Sequence, residues 1–158
     1  MWILVRAATY ATLFIGLLLV FLPTRLLAWS GITRMPNLGM LQVLGVVVTI
    51  AGAAIALWCI FTFALIGKGT PAPFDPPRRL VVRGPYRFVR NPMYIGAALA
   101  LFGAALFYKS IPLLIYVALF CVITHLFVVL YEEPTLNRTF GQHYHVYCQG
   151  VRRWLPKF

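Results

Sequence analysis

The sequence predicts an all-α integral membrane protein with about four transmembrane helices, folded as a single domain over residues 1–158. Of its 158 residues, 61% are hydrophobic and only 11% are charged. This composition leaves too little polar surface to cover a soluble fold. The apolar residues are also gathered into long runs. Because a helix needs about 20 apolar residues to cross a hydrocarbon core of about 30 Å, these runs indicate membrane spans.

Four apolar runs give the predicted helices in chain order. The length of the first run, and its lack of a small-residue cleavage pattern, favour a retained helix over a signal peptide. The third run is short, and we expect it to form a tight hairpin with the fourth around Lys109 and Ser110. The first two helices form an N-terminal pair within residues 1–66. The runs cover residues 7–22, extending through Trp29, then 38–66, 92–108 and 111–131.

Lysine and arginine counts predict the orientation. With four spans, eleven of the 14 basic residues fall on the side of the two termini, and three fall on the other side. The positive-inside rule places the richer side in the cytosol. We therefore expect a multi-pass protein of a bacterial cytoplasmic membrane with cytosolic N- and C-termini. The three residues on the opposite side are Arg25, Arg34 and Lys109.

The formal charge of +11 predicts contact with anionic lipid headgroups, because the basic residues lie beside the apolar runs. A nucleic-acid partner is not expected, since such a protein would carry its basic residues on a polar fold. No metal site is expected either. His143 and His145 are two residues apart and do not share a helix face, and the three cysteines show no metal-type spacing. The cysteines are interpreted as packing residues: Cys59, Cys121 and Cys148.

The segment between the second and third runs should be irregular. GKGTPAPFDPP, residues 67–77, contains two glycines and four prolines, which cannot continue a helix. An apolar patch at residues 80–82 and a turn at Gly84 and Pro85 follow. The third helix is predicted to begin at Pro92, since proline is tolerated in a first turn. Within that helix, Gly96, Ala100 and Ala104 recur every four residues, which indicates close helix packing.

The tail from residue 132 has an amphipathic pattern, with Gly141 as an expected interruption. A helix lying along the membrane interface would leave Arg138, Arg152 and Arg153 near headgroups. The apolar members of the pattern recur at spacings of three and four: Leu136, Phe140, Tyr144, Tyr147 and Val151.

Glu132 and Glu133 are placed where acids are unfavourable. A helix C-terminus carries partial negative charge, and the cytoplasmic leaflet is also negative. In a chain with three acids, this placement indicates a specific partner. Two partners stay open and compatible: the neighbouring arginines in a structural ion-pair network, or a cationic ligand.

The loop before the third helix offers complementary groups. Arginines bind carboxylate or phosphate through paired donors, and the rings of Tyr86 and Tyr94 can hold a cation. Acid, arginine and tyrosine together suit a zwitterionic ligand with a positive centre. The positive-inside rule alone also explains most of the arginines. His125, inside the fourth helix, is interpreted as a neutral histidine bonded to a neighbouring helix.

Two stretches carry a resemblance to a known family. RGPYRFVRNPMYIG (residues 83–96), followed by EEPTLNRTFGQHYHVYCQGVRRWLP (residues 132–156), resembles the isoprenylcysteine carboxyl methyltransferase and phospholipid methyltransferase superfamily of membrane enzymes. The resemblance covers about residues 67–158. It implies S-adenosylmethionine as cofactor, bound in a cytosolic pocket between the loop and the tail. It also implies a lipophilic methyl acceptor that enters from the bilayer.

The resemblance assigns residues by position. No catalytic residue is implied by it, although Arg90, Asn91 and Glu133 are candidates for positioning. Many family members have histidine where Asn91 stands, which excludes a histidine base there. The eukaryotic isoprenylcysteine enzymes carry an arginine where this chain has Val128, so the sequence leaves open whether a prenylcysteine is a substrate. The residues expected to bind the cofactor are Arg79, Leu80, Val81, Val82, Tyr86, Asn91, Pro92, Met93, Tyr94, Glu132 and Glu133.

Two alternatives accompany the methyltransferase hypothesis. One is a non-catalytic membrane protein in which an Arg/Glu network ties the loop to the tail. The other is a membrane reductase of related fold that uses NADPH. The sequence leaves open the oligomeric state and the accepting atom, whether carboxylate oxygen, amine nitrogen or thiol.

Overall fold

The computed structural model describes residues 16–32, 36–67 and 80–157, which are nearly all helical and include no β-strand. Four of the helices adjoin π-helical segments. The tail after the fourth apolar run forms two short helices. The helices are α1 (Leu22–Trp29), α2 (Met40–Thr62), α3 (Pro92–Tyr108), α4 (Ile111–Phe127), α5 (Glu133–Phe140) and α6 (Gln142–Gly150). The π-helical segments are Gly16–Phe21, Phe63–Gly67 and Val128–Glu132.

Two helices within the described residues are long and apolar enough to cross a membrane. They are Met40–Thr62, with 23 residues, and the continuous helix Ile111–Phe140, with 30 residues. Two shorter apolar helices, Gly16–Trp29 and Pro92–Tyr108, accompany them. Many large apolar side chains on these helices are exposed, among them Ile50, Phe61 and Ile123. An exposed apolar surface of this size indicates contact with lipid.

The hairpin between the third and fourth apolar runs is confirmed. Lys109 ends α3 in the left-handed conformation, with a φ of 49°. Ser110, which is buried, begins the next helix, and its hydroxyl accepts a hydrogen bond of 3.4 Å from the backbone N–H of Leu113. This is a serine N-cap, which satisfies a backbone donor at the start of α4.

Two of the three small residues noted in the sequence, Gly96 and Ala100, lie where α2 and α3 touch. Gly45 and Gly52 are seven residues apart on α2, and Gly96 and Gly103 are seven apart on α3. A Cβ added to Gly52 would stand 2.6 Å from the carbonyl oxygen of Gly96. A Cβ added to Gly45 would stand 2.7 Å from the carbonyl oxygen of Gly103. Glycine therefore allows two antiparallel backbones to approach more closely than any side chain would permit.

Substituting Gly52 by Ala is expected to force α2 away from α3. The added methyl group meets backbone atoms, which cannot rotate aside, and overpacking of this kind costs about 1–3 kcal/mol. Thermal unfolding in detergent should show a lower Tm. Gly150→Ala is the matched control, because nothing lies within 4 Å of its added Cβ. An unchanged Tm in Gly52→Ala would contradict the close packing.

The helix directions bring one end of each long helix together. The π-helical residue Leu18 packs near Ala97 and Phe120, whereas Leu27 of α1 packs near Ala105 and Leu113. α1 therefore runs parallel to α3 and antiparallel to α4. The end of α2, the start of α3 and the end of α4 meet at one end of the bundle. The loop that precedes α3 and the tail that follows α4 reach this same end.

The irregular elements agree with their sequence signals. Gly84, with a φ of 60°, begins a 3₁₀ turn, Gly84–Arg87. Gly141, with a φ of 50°, separates the two tail helices. Pro92 opens α3 as predicted. The glycine-rich part of the preceding loop, together with Arg6, Arg34, Lys68, Asp75, Arg78 and Arg79, lies outside the described residues.

Candidate functional site

The loop and the tail converge at this end of the bundle, as the sequence predicted for the two charged stretches. Most of the predicted site residues are buried or half-buried there, and Val82 is exposed. Arg79 lies outside the described residues. The buried members are Val81, Tyr86, Asn91 and Pro92; the half-buried members are Leu80, Arg90, Met93, Tyr94, Glu132 and Glu133.

Glu132 meets the first turn of α3. The hydroxyl of Tyr94 donates a hydrogen bond of 3.2 Å to Oε2 of Glu132. Among the described residues, no lysine, arginine or histidine nitrogen lies within 4.0 Å of the Glu132 carboxylate. The protein thus supplies this carboxylate with a neutral donor and leaves its charge uncompensated within the described residues.

Tyr86 lies beside this pair, in a core cluster with Cys59 and Val81. The ring of Phe63 stands 6.1 Å from the Tyr86 ring, centroid to centroid. Burial raises the pKa of Tyr86 well above its ordinary value, and the nearby Cys59 and Glu132 raise it further. The phenol therefore stays protonated and neutral at physiological pH, in the electrostatic neighbourhood of Glu132.

Glu133 has a different environment from its neighbour. Its two oxygens accept hydrogen bonds from Nε and Nη2 of Arg153, at 2.7 and 2.8 Å. Nη1 of Arg90 stands 3.1 Å from Oε1 of the same carboxylate. These bonds to Glu133 raise the pKa of Arg153 above its ordinary value. The structural ion-pair network, one of the two partners left open by the sequence, is confirmed for Glu133.

Arg90 connects the loop to α6. Its Nη1 donates to Sγ of Cys148 at 2.8 Å and to the hydroxyl of Tyr144 at 3.4 Å. Its Nε is buried without a hydrogen-bond partner among the described residues. Asn91, the next residue, donates from Nδ2 to the backbone carbonyl of Arg153 at 3.4 Å. The two positioning candidates on the loop thus both bind the tail.

The segment after α6 docks along the loop. Val89 and Arg152 form an isolated parallel β-bridge, in which the N–H of Arg90 donates to the Arg152 carbonyl at 2.9 Å. The hydroxyl of Tyr147 also donates to the Tyr86 carbonyl at 2.6 Å. Burial raises the pKa of Tyr147 above its ordinary value, so this hydroxyl keeps its proton.

Several of these contacts correct or extend the sequence interpretation. The sequence assigns Arg153 to lipid headgroups, but its guanidinium binds Glu133 because the β-bridge turns the tail back toward the bundle. Cys148 accepts a hydrogen bond from an arginine and is therefore more than a packing residue. The sequence predicts a bond from His125 to a neighbouring helix. Its Nδ1 instead accepts a hydrogen bond of 3.0 Å from Nε1 of Trp154, in the segment after α6.

The described residues contain no group of three or more histidine, cysteine or acidic side chains that could hold a metal ion. This end of the bundle offers instead an ionisable carboxylate, two tyrosines and apolar walls. This set of groups fits a cationic centre with apolar surroundings. The two arginines seen beside it are both engaged with Glu133, so neither is a free partner for an anion.

Comparison with known proteins identifies a family. The family model of phospholipid methyltransferases matches residues 40–143. The match begins at α2 and ends in the first turn of α6, so it includes Tyr86, Tyr94 and Glu132 and stops before Arg153. No curated protein matches the chain.

Proposed function

The chain belongs to the phospholipid methyltransferase family, and on that premise we propose that it transfers a methyl group from S-adenosylmethionine to a lipophilic acceptor at the cytosolic face of a membrane. The family and the two helices of spanning length indicate a membrane protein. The proposal adds four spans, a single domain over residues 1–158 and cytosolic termini. It also places the cofactor in a pocket between the loop and the tail.

One observation carries the proposal: the carboxylate of Glu132 meets a phenol and, among the described residues, no cation. A half-buried carboxylate without a counter-charge is costly, so a cationic ligand would stabilise it. S-adenosylmethionine carries an ammonium and a sulfonium group. Glu132 would bind the ammonium, and the faces of Tyr86 and Tyr94 would lie near the sulfonium.

The remaining cofactor contacts are taken from the resemblance. Val81 and Tyr86 share a core cluster against which Met93 packs, and this cluster would form the apolar wall. The carboxylate of the cofactor requires a cation, and Arg79 is assigned that part, outside the described residues. The other proposed contacts are Leu80, Val82, Asn91, Pro92 and Glu133.

Methyl transfer of this kind requires little covalent catalysis by the protein. S-adenosylmethionine would supply a methyl group bound to a positively charged sulfur. The accepting atom would bond to the methyl carbon while the carbon–sulfur bond breaks, and S-adenosylhomocysteine would leave. The side chains would hold donor and acceptor in line, and alignment alone can lower a barrier by about 7–11 kcal/mol in favourable cases. The protonated Tyr86 can donate a hydrogen bond but cannot accept a proton as a base. The acceptor would enter from the bilayer between helices, because the exposed helix faces are apolar.

Ligand binding separates this function from its two alternatives. We expect isothermal titration of the purified full chain in detergent to show binding of S-adenosylmethionine and S-adenosylhomocysteine, with a Kd of micromolar order. NADPH should not bind. Binding of NADPH alone would favour a membrane reductase, and binding of none of the three would favour a non-catalytic protein with a structural Arg/Glu network.

A further inference from the structure

Arg153 binds the carboxylate of Glu133, the residue that follows the proposed ligand-binding residue Glu132. Nε and Nη2 of Arg153 take one oxygen each of Glu133, at 2.7 and 2.8 Å. A guanidinium bound in this two-pronged way fixes the direction of the carboxylate as well as its position. Arg90 contributes a single nitrogen to the same carboxylate and divides its other bonds between Cys148 and Tyr144. Arg153 is therefore the residue that orients Glu133.

The backbone of Arg153 is itself fixed on the loop. Its carbonyl accepts a hydrogen bond from Nδ2 of Asn91 at 3.4 Å, and the preceding carbonyl, of Arg152, accepts from the N–H of Arg90 at 2.9 Å. The guanidinium thus extends from a segment that is attached to the residues just before α3. Through Arg153, the position of Glu133 therefore depends on the same loop that leads to Tyr94.

The two glutamates lie where the helical repeat changes. Glu132 ends the π-helical segment Val128–Glu132, and Glu133 begins α5. A π-helical turn bonds each residue to the fifth along the chain, so the side chains of α5 face other directions than the repeat of α4 alone would give them. Successive helical residues project about 100° apart. With Glu133 held on the side of the tail, Glu132 is turned toward Tyr94.

We propose that Arg153 is a positioning residue, which binds both oxygens of Glu133 and thereby sets the rotation that directs Glu132 to the cationic ligand beside Tyr94. This inference rests on the proposed function for the identity of the ligand. Its geometric part, the dependence of the Glu132–Tyr94 hydrogen bond on Arg153, holds with or without that ligand. Arg153 lies beyond the residues that the family model matches.

The test reads the Glu132–Tyr94 bond directly. The full chain is labelled with 3-fluorotyrosine, and the ¹⁹F resonance of Tyr94 is identified by its loss in Tyr94→Phe. In Arg153→Gln we expect this resonance to move toward its position in Glu132→Ala, which lacks the acceptor of the Tyr94 hydrogen bond. Affinity for S-adenosylhomocysteine should fall about tenfold or more, because a displaced binding group loses most of its contact. Arg152→Gln removes the same charge from an exposed neighbour and should leave both readouts at the wild-type values.

The outcomes separate the two proposals. A Tyr94 resonance that stays in place in Arg153→Gln overturns the positioning role, whatever the affinity. A resonance that moves, in a protein whose wild type binds no S-adenosylhomocysteine, keeps the positioning role and removes the proposed function. Should Arg153→Gln fail to fold, Arg153→Lys keeps the charge and loses the two-pronged contact. A partial shift with partial loss of affinity then supports the proposal, and wild-type behaviour overturns it.

Discussion

Substitution of Glu132 by Gln is expected to weaken S-adenosylmethionine binding by about 30-fold or more while the protein stays folded. Glutamine keeps the shape of the side chain, and its carbonyl oxygen can still accept the hydrogen bond from Tyr94. Only the negative charge is lost. Removing one member of a buried, hydrogen-bonded charge pair costs about 2–5 kcal/mol, and every 1.4 kcal/mol is about a tenfold change in Kd.

Tyr94→Phe is the comparison variant for Glu132→Gln. It keeps the aromatic face and removes the hydroxyl that donates to Glu132, so its loss of affinity should be smaller. Titration of the three proteins at one pH gives the three dissociation constants. If Glu132→Gln binds the cofactor as the wild type does, this carboxylate does not hold the ammonium group, and the ligand lies elsewhere.

Substitution of the adjacent Glu133 by Gln should act first on stability. Two guanidinium groups share this carboxylate, and the side chains of Glu133 and Arg90 are only 18% and 14% exposed. Without the negative charge, Arg90 and Arg153 would face each other uncompensated. Breaking a buried ion pair from one side costs about 3–5 kcal/mol. Since Arg153 is 31% exposed, we expect a loss in free energy of unfolding near the lower limit, about 3 kcal/mol.

The same change at two consecutive positions is the control for that result. Thermal unfolding in detergent should show a clearly lower Tm for Glu133→Gln and a nearly wild-type Tm for Glu132→Gln, because only Glu133 compensates cations among the described residues. A Tm for Glu133→Gln equal to that of the wild type would mean that the Arg90–Glu133–Arg153 contacts contribute no net stability.

Much of the helical framework could be predicted because its signals are local. Proline at the first helical position, a left-handed residue at a helix end and a glycine between amphipathic halves each act within a few residues. Pro92, Lys109 with Ser110, and Gly141 accordingly lie where the sequence indicated. The small residues also indicated close packing of α3, because a residue with a small or missing side chain lets the backbone of any neighbouring helix approach closely.

The separate environments of the two glutamates could not be predicted from the sequence. Both are acids at the end of an apolar helix, and their separations along the sequence from each arginine of the loop differ by one residue. Their difference arises from the β-bridge between Val89 and Arg152, which brings Arg153 back to the bundle. A contact between residues 63 positions apart along the chain leaves no local pattern. From the sequence alone, Arg153 cannot be distinguished from an arginine that binds a lipid headgroup.

Transfer of a labelled methyl group tests the central claim most directly. Purified wild-type protein is incubated with S-adenosylmethionine labelled in its methyl group and with extracted membrane lipids or small hydrophobic acids, amines and thiols. The proposed function predicts label in organic-extractable product with at least one of these acceptors, and little with Glu132→Gln. Equal label from the two proteins, or none from a wild type that binds the cofactor, would contradict it.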